Sequence, residues 1–280
     1  MTLTKAEIFQ KTANPELLLI EQWTSRNPRL LAGITTRNGG VSSPPFSSLN
    51  MGLHVSDDPA LVLQNRKRLA DVTGIPLSSW VVGEQVHGVK AAKVGRADRG
   101  SGAVEQATAI PGSDGLYTLE AGVLLTAFYA DCVPLFFYAP DHQFMGLAHA
   151  GWRGTVSNMA QKMVEAYTDK EGLPHDGLYA AIGPAIGSCC YEVDQAVIDA
   201  VNNIAPDCPA AVYKASGRDG HYMLDIKELN RYLLIQAGVP EKNIIVTGYC
   251  TSCSDNLFFS HRRDEGKSGR MLSFIGMKEE

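Results

Sequence analysis

The chain has 280 residues, 45% hydrophobic and 20% charged, with a formal net charge of −5. That is the make-up of an ordinary globular protein, long enough for one large domain or two modest ones. The absence of any Lys/Arg-rich block excludes a nucleic-acid-binding stripe, and apolar runs cut by Asp131 and Pro140 exclude a membrane span. The opening MTLTKAEIFQ has no apolar leader, so the expected compartment is the cytoplasm, with the six cysteines as reduced thiols or metal ligands.

In chain order, residues 17–20 and 30–36 read as two strands joined by a Thr-Ser-Arg-Asn-Pro turn. The second runs into Thr35-Thr36-Arg37-Asn38-Gly39-Gly40, where glycines admit close approach and Arg37 suits an anionic oxygen. Asp58 followed by Pro59 starts a helix that Gly74 stops. Residues 80–82 form a short strand leading into Glu84-Gln85-Val86-His87-Gly88. The glycine-rich stretch 95–115 shows little periodicity and reads as an active-site loop or a disordered surface excursion, and it ends on Asp114, which is expected to face the same cleft. Residues 123–129, 133–138 and 144–148 read as buried strands, the last two joined by a Pro140-Asp141-His142 turn into an antiparallel hairpin. Thr155 is expected to cap a helix whose Met159, Met163, Val164 and Tyr167 face a core. A strand over 178–182 follows. A second amphipathic helix carries Val193, Val197 and Val201, and a third starts on Asp225 and ends at Gly238. Strands over 244–249 and 271–276 complete the pattern. Hairpins mixed with helices, without regular βαβ alternation, predict an α+β fold: one domain over 1–280, largely antiparallel sheets covered by helices.

The chemistry concentrates at the hairpin. Its two ends bring Cys132 and His149 together, next to Asp131 and the loop that carries Arg153. Charged groups collected beside buried strands need a reason. His87 supplies a third donor, giving a His-Cys-His set that leaves a zinc ion a fourth position for water or substrate. Zinc can lower the pKa of that water to about 7. The same atoms also suit a Cys132 nucleophile with His149 as base, the chemistry of an amidohydrolase. Copper is the alternative metal, since His-Cys-His with a weak axial ligand describes blue copper. A multicopper oxidase would need further ligands, mostly in His-x-His pairs; the chain has seven histidines and no such pair. The residues alone leave zinc and thiol chemistry both open. Cys250-Thr-Ser-Cys253 lacks a clear partner pair for a structural zinc and reads as two ordinary thiols in a turn, with no catalytic role for the vicinal Cys189-Cys190. No phosphate-binding P-loop or dinucleotide fingerprint is present.

Several motifs together resemble the bacterial laccase-domain family. They are Gln85-Val-His87-Gly, Ala130-Asp131-Cys132-Val-Pro-Leu135, His149-Ala-Gly-Trp-Arg-Gly154, Gly183-Pro-Ala-Ile-Gly187 with Cys190-Tyr-Glu-Val193, Thr35-Thr-Arg37-Asn-Gly-Gly40, and Ser260-His-Arg-Arg-Asp264 with Gly269-Arg270. His261 stands where the family pattern often has Tyr, a departure at the pocket edge. The resemblance implies an α+β fold and zinc on His87, Cys132 and His149. It implies phosphorolysis of adenosine, inosine and methylthioadenosine, together with adenosine deamination. Cys132, His149 and Asp131 are then the catalytic candidates, and Arg37, Gln85, Asp114 and Arg153 the substrate-binding ones. The expected partners are a nucleoside and phosphate, with no nucleic acid, membrane or obligate protein partner. The rival remains a Cys132-dependent deamidase, of use in cell-wall precursor repair.

Overall fold

Two six-stranded sheets stack face to face, with helices on both outer surfaces. The computed structural model describes residues 7–279; residues 1–6, part of the stretch read for a leader, lie outside them. The strands are β1 (Phe9–Lys11), β2 (Leu17–Ile20), β3 (Leu30–Thr35), β4 (Trp80–Val82), β5 (Ala91–Lys93), β6 (Gly115–Thr118), β7 (Leu124–Tyr129), β8 (Val133–Ala139), β9 (Phe144–Ala150), β10 (Tyr179–Ile182), β11 (Glu192–Asp194), β12 (Tyr213–Ala215), β13 (His221–Leu224), β14 (Ile244–Val246) and β15 (Met271–Met277). The helices are α1 (Glu21–Thr24), α2 (Pro59–Thr73), α3 (Trp152–Val156), α4 (Met159–Glu165), α5 (Gln195–Ile204) and α6 (Ile226–Gln236). One sheet runs β1-β2-β3-β15-β7-β4, the second β14-β10-β8-β9-β6-β5, and a small third sheet β11-β13-β12. Most pairings are antiparallel, with β4–β7, β5–β6 and β10–β14 parallel, so the fold is α+β as the sequence predicts. Among the described residues no helix is long and apolar enough to cross a membrane.

The unbroken apolar runs of β7, β8 and β9 follow from burial on both faces. Along β7, Leu125, Ala127 and Tyr129 point into the core between the sheets, while Leu124 and Phe128 face α2. Along β8, Phe136 and Tyr138 face the same inner core, and Val133, Leu135 and Phe137 face α4 to α6. Met159, Met163, Val164 and Tyr167 are core residues, as read. Helix α2 has the capping chemistry its sequence shows: Asp58 accepts from the Ala60 amide at 2.8 Å, Pro59 opens it, and Gly74 closes it at φ 71°.

Several expectations change. The link between β2 and β3 contains the one-turn helix α1. Thr155 lies inside α3, where its hydroxyl accepts from Asn230; Asn158 caps α4 by accepting from the Gln161 amide. Val193 sits on β11, ahead of α5. The stretch 95–115 is scaffold, not an active-site loop. The buried Arg66 guanidinium binds the carbonyls of Gly102 and Ala103, both at 2.8 Å, and Ile110 bridges to Gly83. Only the end of that stretch reaches the site. The Cys250-x-x-Cys253 turn does have a partner pair: the sulfurs of Cys189, Cys190, Cys250 and Cys253 all lie within 4.8 Å of one another. A vicinal pair some sixty residues upstream is not the second C-x-x-C that the sequence criterion looks for.

Candidate metal centre

The β8–β9 register sets Val133 opposite Ala150 and Pro134 opposite His149. Cys132, immediately before β8, therefore meets His149. His87 arrives on the loop after β4. The donor atoms of His87, Cys132 and His149 lie within 4.8 Å of one another, and the two imidazoles meet edge to face. Two glycines make this convergence possible. A Cβ on Gly151 would stand 3.1 Å from both Cys132 Sγ and His87 Cδ2, and one on Gly83 would stand 2.5 Å from the Ser113 carbonyl. The second approach lays residues 113–114 against the His87 loop.

Asp114 uses that approach. Its Oδ1 accepts from the His87 amide at 3.0 Å and faces His149 Nδ1 at 2.9 Å; its Oδ2 accepts from the Val86 and Gly88 amides at 3.0 and 2.8 Å. With its side chain fully enclosed, Asp114 holds the His87 loop and the His149 ring from behind the cleft. A carboxylate on the far nitrogen of a ligand histidine fixes its tautomer and ring orientation.

Gln85, His87 and Asp131 all adopt left-handed backbone, at φ 59°, 60° and 83°. Such conformations cost on the order of 1–3 kcal/mol each and persist only where surroundings hold them. The holding groups are visible. Gln85 exchanges two hydrogen bonds with the Phe128 backbone, at 2.8 and 2.9 Å. His87 is tied through its amide to Asp114. Asp131 accepts from Thr251 Oγ1 at 2.6 Å, Ser260 Oγ at 3.0 Å and the Arg262 amide at 2.7 Å. The Gln85 amide is thus engaged with β7, and the Asp131 carboxylate with the 251–262 segment; both residues line the cleft but their polar groups position backbone. Arg37 lies outside the cleft. Its guanidinium donates to the Ser47 and Asp255 carbonyls and packs over Phe259.

The electrostatics suit a soft cation. Burial would push the Cys132 thiol up, but the charge and hydrogen bonds of His149, then of His87, outweigh it and bring the thiol down to about 6. Burial would lower His149, but the Cys132 thiolate and Asp114 raise it to about 9. Thiolate and imidazoles at one point are the donors zinc takes. In metal-depleted protein, alkylation of the Cys132 peptide should reach half its maximal rate near pH 6. An ordinary thiol would do so near 8.5. Mass-spectrometric labelling across pH measures it, and a midpoint above pH 8 would show that the imidazoles do not hold the thiolate.

The donors line a cleft of about 840 Å³ walled by Phe128, Trp152 and Tyr191, with Arg153, Arg262 and Arg270 among its cations. Arg153 is exposed and stacks on Trp152; its guanidinium has no hydrogen-bond partner among the described residues. Arg270 places only Nη1 on protein oxygens, those of Ser268 and Gly269. His54, also on the wall, is driven down to about 4 by burial and then by Arg270 and Arg66, so it is neutral at pH 7. Tyr191, Arg262, Arg270 and His54 line the cleft as well, beyond the substrate-binding candidates of the sequence. The terminal Arg motif was the available signal for two of them.

Stacked mixed sheets with outer helices and a carboxylate-backed His-Cys-His set define an α+β protein with a candidate metal centre in a cleft. The chain belongs to the family described as multi-copper polyphenol oxidoreductase laccase, whose model matches residues 31–278. It is 53% identical over 251 residues to the purine nucleoside phosphorylase YlmD of Geobacillus stearothermophilus, covering 89% of this chain and 91% of that one. It is 47% identical over 268 residues to the purine nucleoside phosphorylase YlmD of Bacillus subtilis, covering 95% and 96%. The crystal structure of YlmD from Geobacillus stearothermophilus superimposes with a TM-score of 0.92, covering 98% of this chain and 100% of that one at 50% identity.

Proposed function

We propose that the protein is a zinc-dependent purine nucleoside phosphorylase that acts on adenosine, inosine and methylthioadenosine and also deaminates adenosine. The observation that carries this reading is the His87–Cys132–His149 donor set at an aromatic-walled, arginine-bearing cleft, in a chain whose relatives are named purine nucleoside phosphorylases. Zinc held there would supply Lewis acidity and activation of water. Phe128, Trp152 and Tyr191 offer faces on which a purine can stack. Arg153 and Arg270 offer N–H donors to phosphate. The partners are then a nucleoside and phosphate.

Phosphorolysis and deamination separate by reactant. Deamination exchanges the amino group at C6 for oxygen and needs only water. Base release transfers the pentose to phosphate and needs phosphate as nucleophile. Chromatography of adenosine reactions with the zinc-loaded protein should show inosine with or without phosphate, and free base only with it.

A second reading keeps one observation in its favour. A Cys132 thiol lowered by His149 is also a nucleophile in waiting, as in a deamidase. Turnover that survives full zinc removal but is abolished by alkylation of Cys132 would promote it over the zinc enzyme.

Arg153→Ala should reduce kcat/KM for nucleoside phosphorolysis about 10- to 100-fold, the scale of one lost charge-assisted contact. Its melting temperature should stay within about 2 °C of the parent, because an exposed side chain stacked on one ring contributes little to folding. Unchanged kinetics with a marked fall in melting temperature would make Arg153 a structural residue.

A further inference from the structure

We propose that Cys189, Cys190, Cys250 and Cys253 bind a second, structural zinc ion, distinct from the His87–Cys132–His149 set, which clamps the segment carrying one cleft wall to the turn that holds Asp131. The Cys253 sulfur lies 3.4 Å from that of Cys189 and 3.3 Å from that of Cys190, and no two of the four sulfurs are more than 4.8 Å apart. A tetrahedral zinc with Zn–S near 2.3 Å needs sulfurs roughly 3.8 Å apart, so side-chain adjustments alone suffice. All four cysteines are unbridged thiols.

The surroundings are those of a bound tetrathiolate, which carries excess negative charge. The Gly187 amide donates to Cys250 Sγ at 3.2 Å, so the first sulfur of the C-x-x-C turn has an N–H donor from the other cysteine segment. Lys227 and Arg263, the latter also paired with Asp264, brace the turn through carbonyls in it and just before it. The largely buried Lys227 ammonium binds the Thr247 carbonyl at 3.0 Å and that of Tyr249 at 2.6 Å, immediately before Cys250. The Arg263 guanidinium binds the carbonyls of Thr251 and Ser252, at 3.0 and 3.2 Å, inside the turn. Metal binding replaces four S–H protons, which pass to solvent.

The clamp has a defined load. Tyr191, next to Cys190, lines the cleft, and Thr251, inside the C-x-x-C turn, holds the Asp131 carboxylate. Joining the two segments fixes one wall and the strained residue beside Cys132 at once.

The test uses full-length protein expressed with zinc and kept reduced. Elemental analysis and native mass spectrometry should find about two zinc ions per chain, about one in a Cys189→Ser/Cys253→Ser double variant and about one in Cys132→Ala. The pattern is independent of the nucleoside reading: loss of zinc from the double variant supports the clamp even if Cys132→Ala loses none. Should the double variant not fold, the parent protein decides. Labelling of the four thiols should be at least about tenfold slower with zinc than after chelation, and cobalt should give the intense absorption of a tetrathiolate site. Unprotected thiols, a zinc content that the double variant leaves unchanged, iron in place of zinc, or a native mass short by two hydrogens per disulfide would each overturn the proposal.

Discussion

Cys132→Ala should lose the zinc of the His87–Cys132–His149 set and, with it, both adenosine deamination and phosphorolysis. Two imidazoles rarely hold a catalytic zinc, and an active-site metal contributes several kcal/mol to catalysis, on the order of a thousandfold in rate. The fold should survive. Cys132 precedes β8 without contributing to its ladder, and the hairpin beyond it is buried on both faces. Elemental analysis, turnover and circular dichroism on the same preparation separate the effects. Parental metal content and activity in a folded variant would remove Cys132 from the site.

Asp114→Asn should lower zinc affinity about 10- to 100-fold, the usual effect of losing a carboxylate behind a ligand histidine. The amide is the same size, so the argument is one of protons. Each Asp114 oxygen faces two nitrogens, His87 N and His149 Nδ1 on one side, Val86 N and Gly88 N on the other. Whichever side receives the NH₂ group meets N–H donors and loses its hydrogen bonds. That buried mismatch should also cost about 3 kcal/mol. At roughly 2–4 °C per kcal/mol, the melting temperature should fall by about 6–12 °C. Competition with a calibrated chelator, alongside thermal melts, measures both. Full zinc affinity in Asp114→Asn would mean the ligand histidines are oriented by something else.

The parts of this architecture legible in the sequence are those set by local periodicity and turn chemistry. The three apolar runs around Asp131 announce β7, β8 and β9, and the Pro140 turn gives the antiparallel register that joins Cys132 to His149. The Asp58–Gly74 caps announce α2. What was hidden is set by contacts distant along the chain. Nothing local says that β15 lies between β3 and β7. Arg37, among glycines, reads as a solvated side chain of a turn or as an anion ligand, and sequence does not reveal that backbone carbonyls of residues 47 and 255 will accept from it. Asp114 reads as the end of a loop, and its role emerges only when Gly83 brings that loop against residues 86–88. His87 gained weight from the need for a third donor and from family resemblance, since a lone histidine beside a glycine carries little signal.

The three donors are held with unequal firmness. His149 is on the doubly buried β9 and Cys132 adjoins β8, so both move only when the central sheet opens. His87 is exposed, on a loop whose amides are held by Asp114. Unhooking residues 86–88 withdraws one donor and leaves the other two in place, at a local cost well below that of global unfolding. Ion exchange at a metal held by these donors would therefore run through the His87 side. The lifetime of a bound ion would follow the opening rate of one short loop, while the floor on which it rests stays closed.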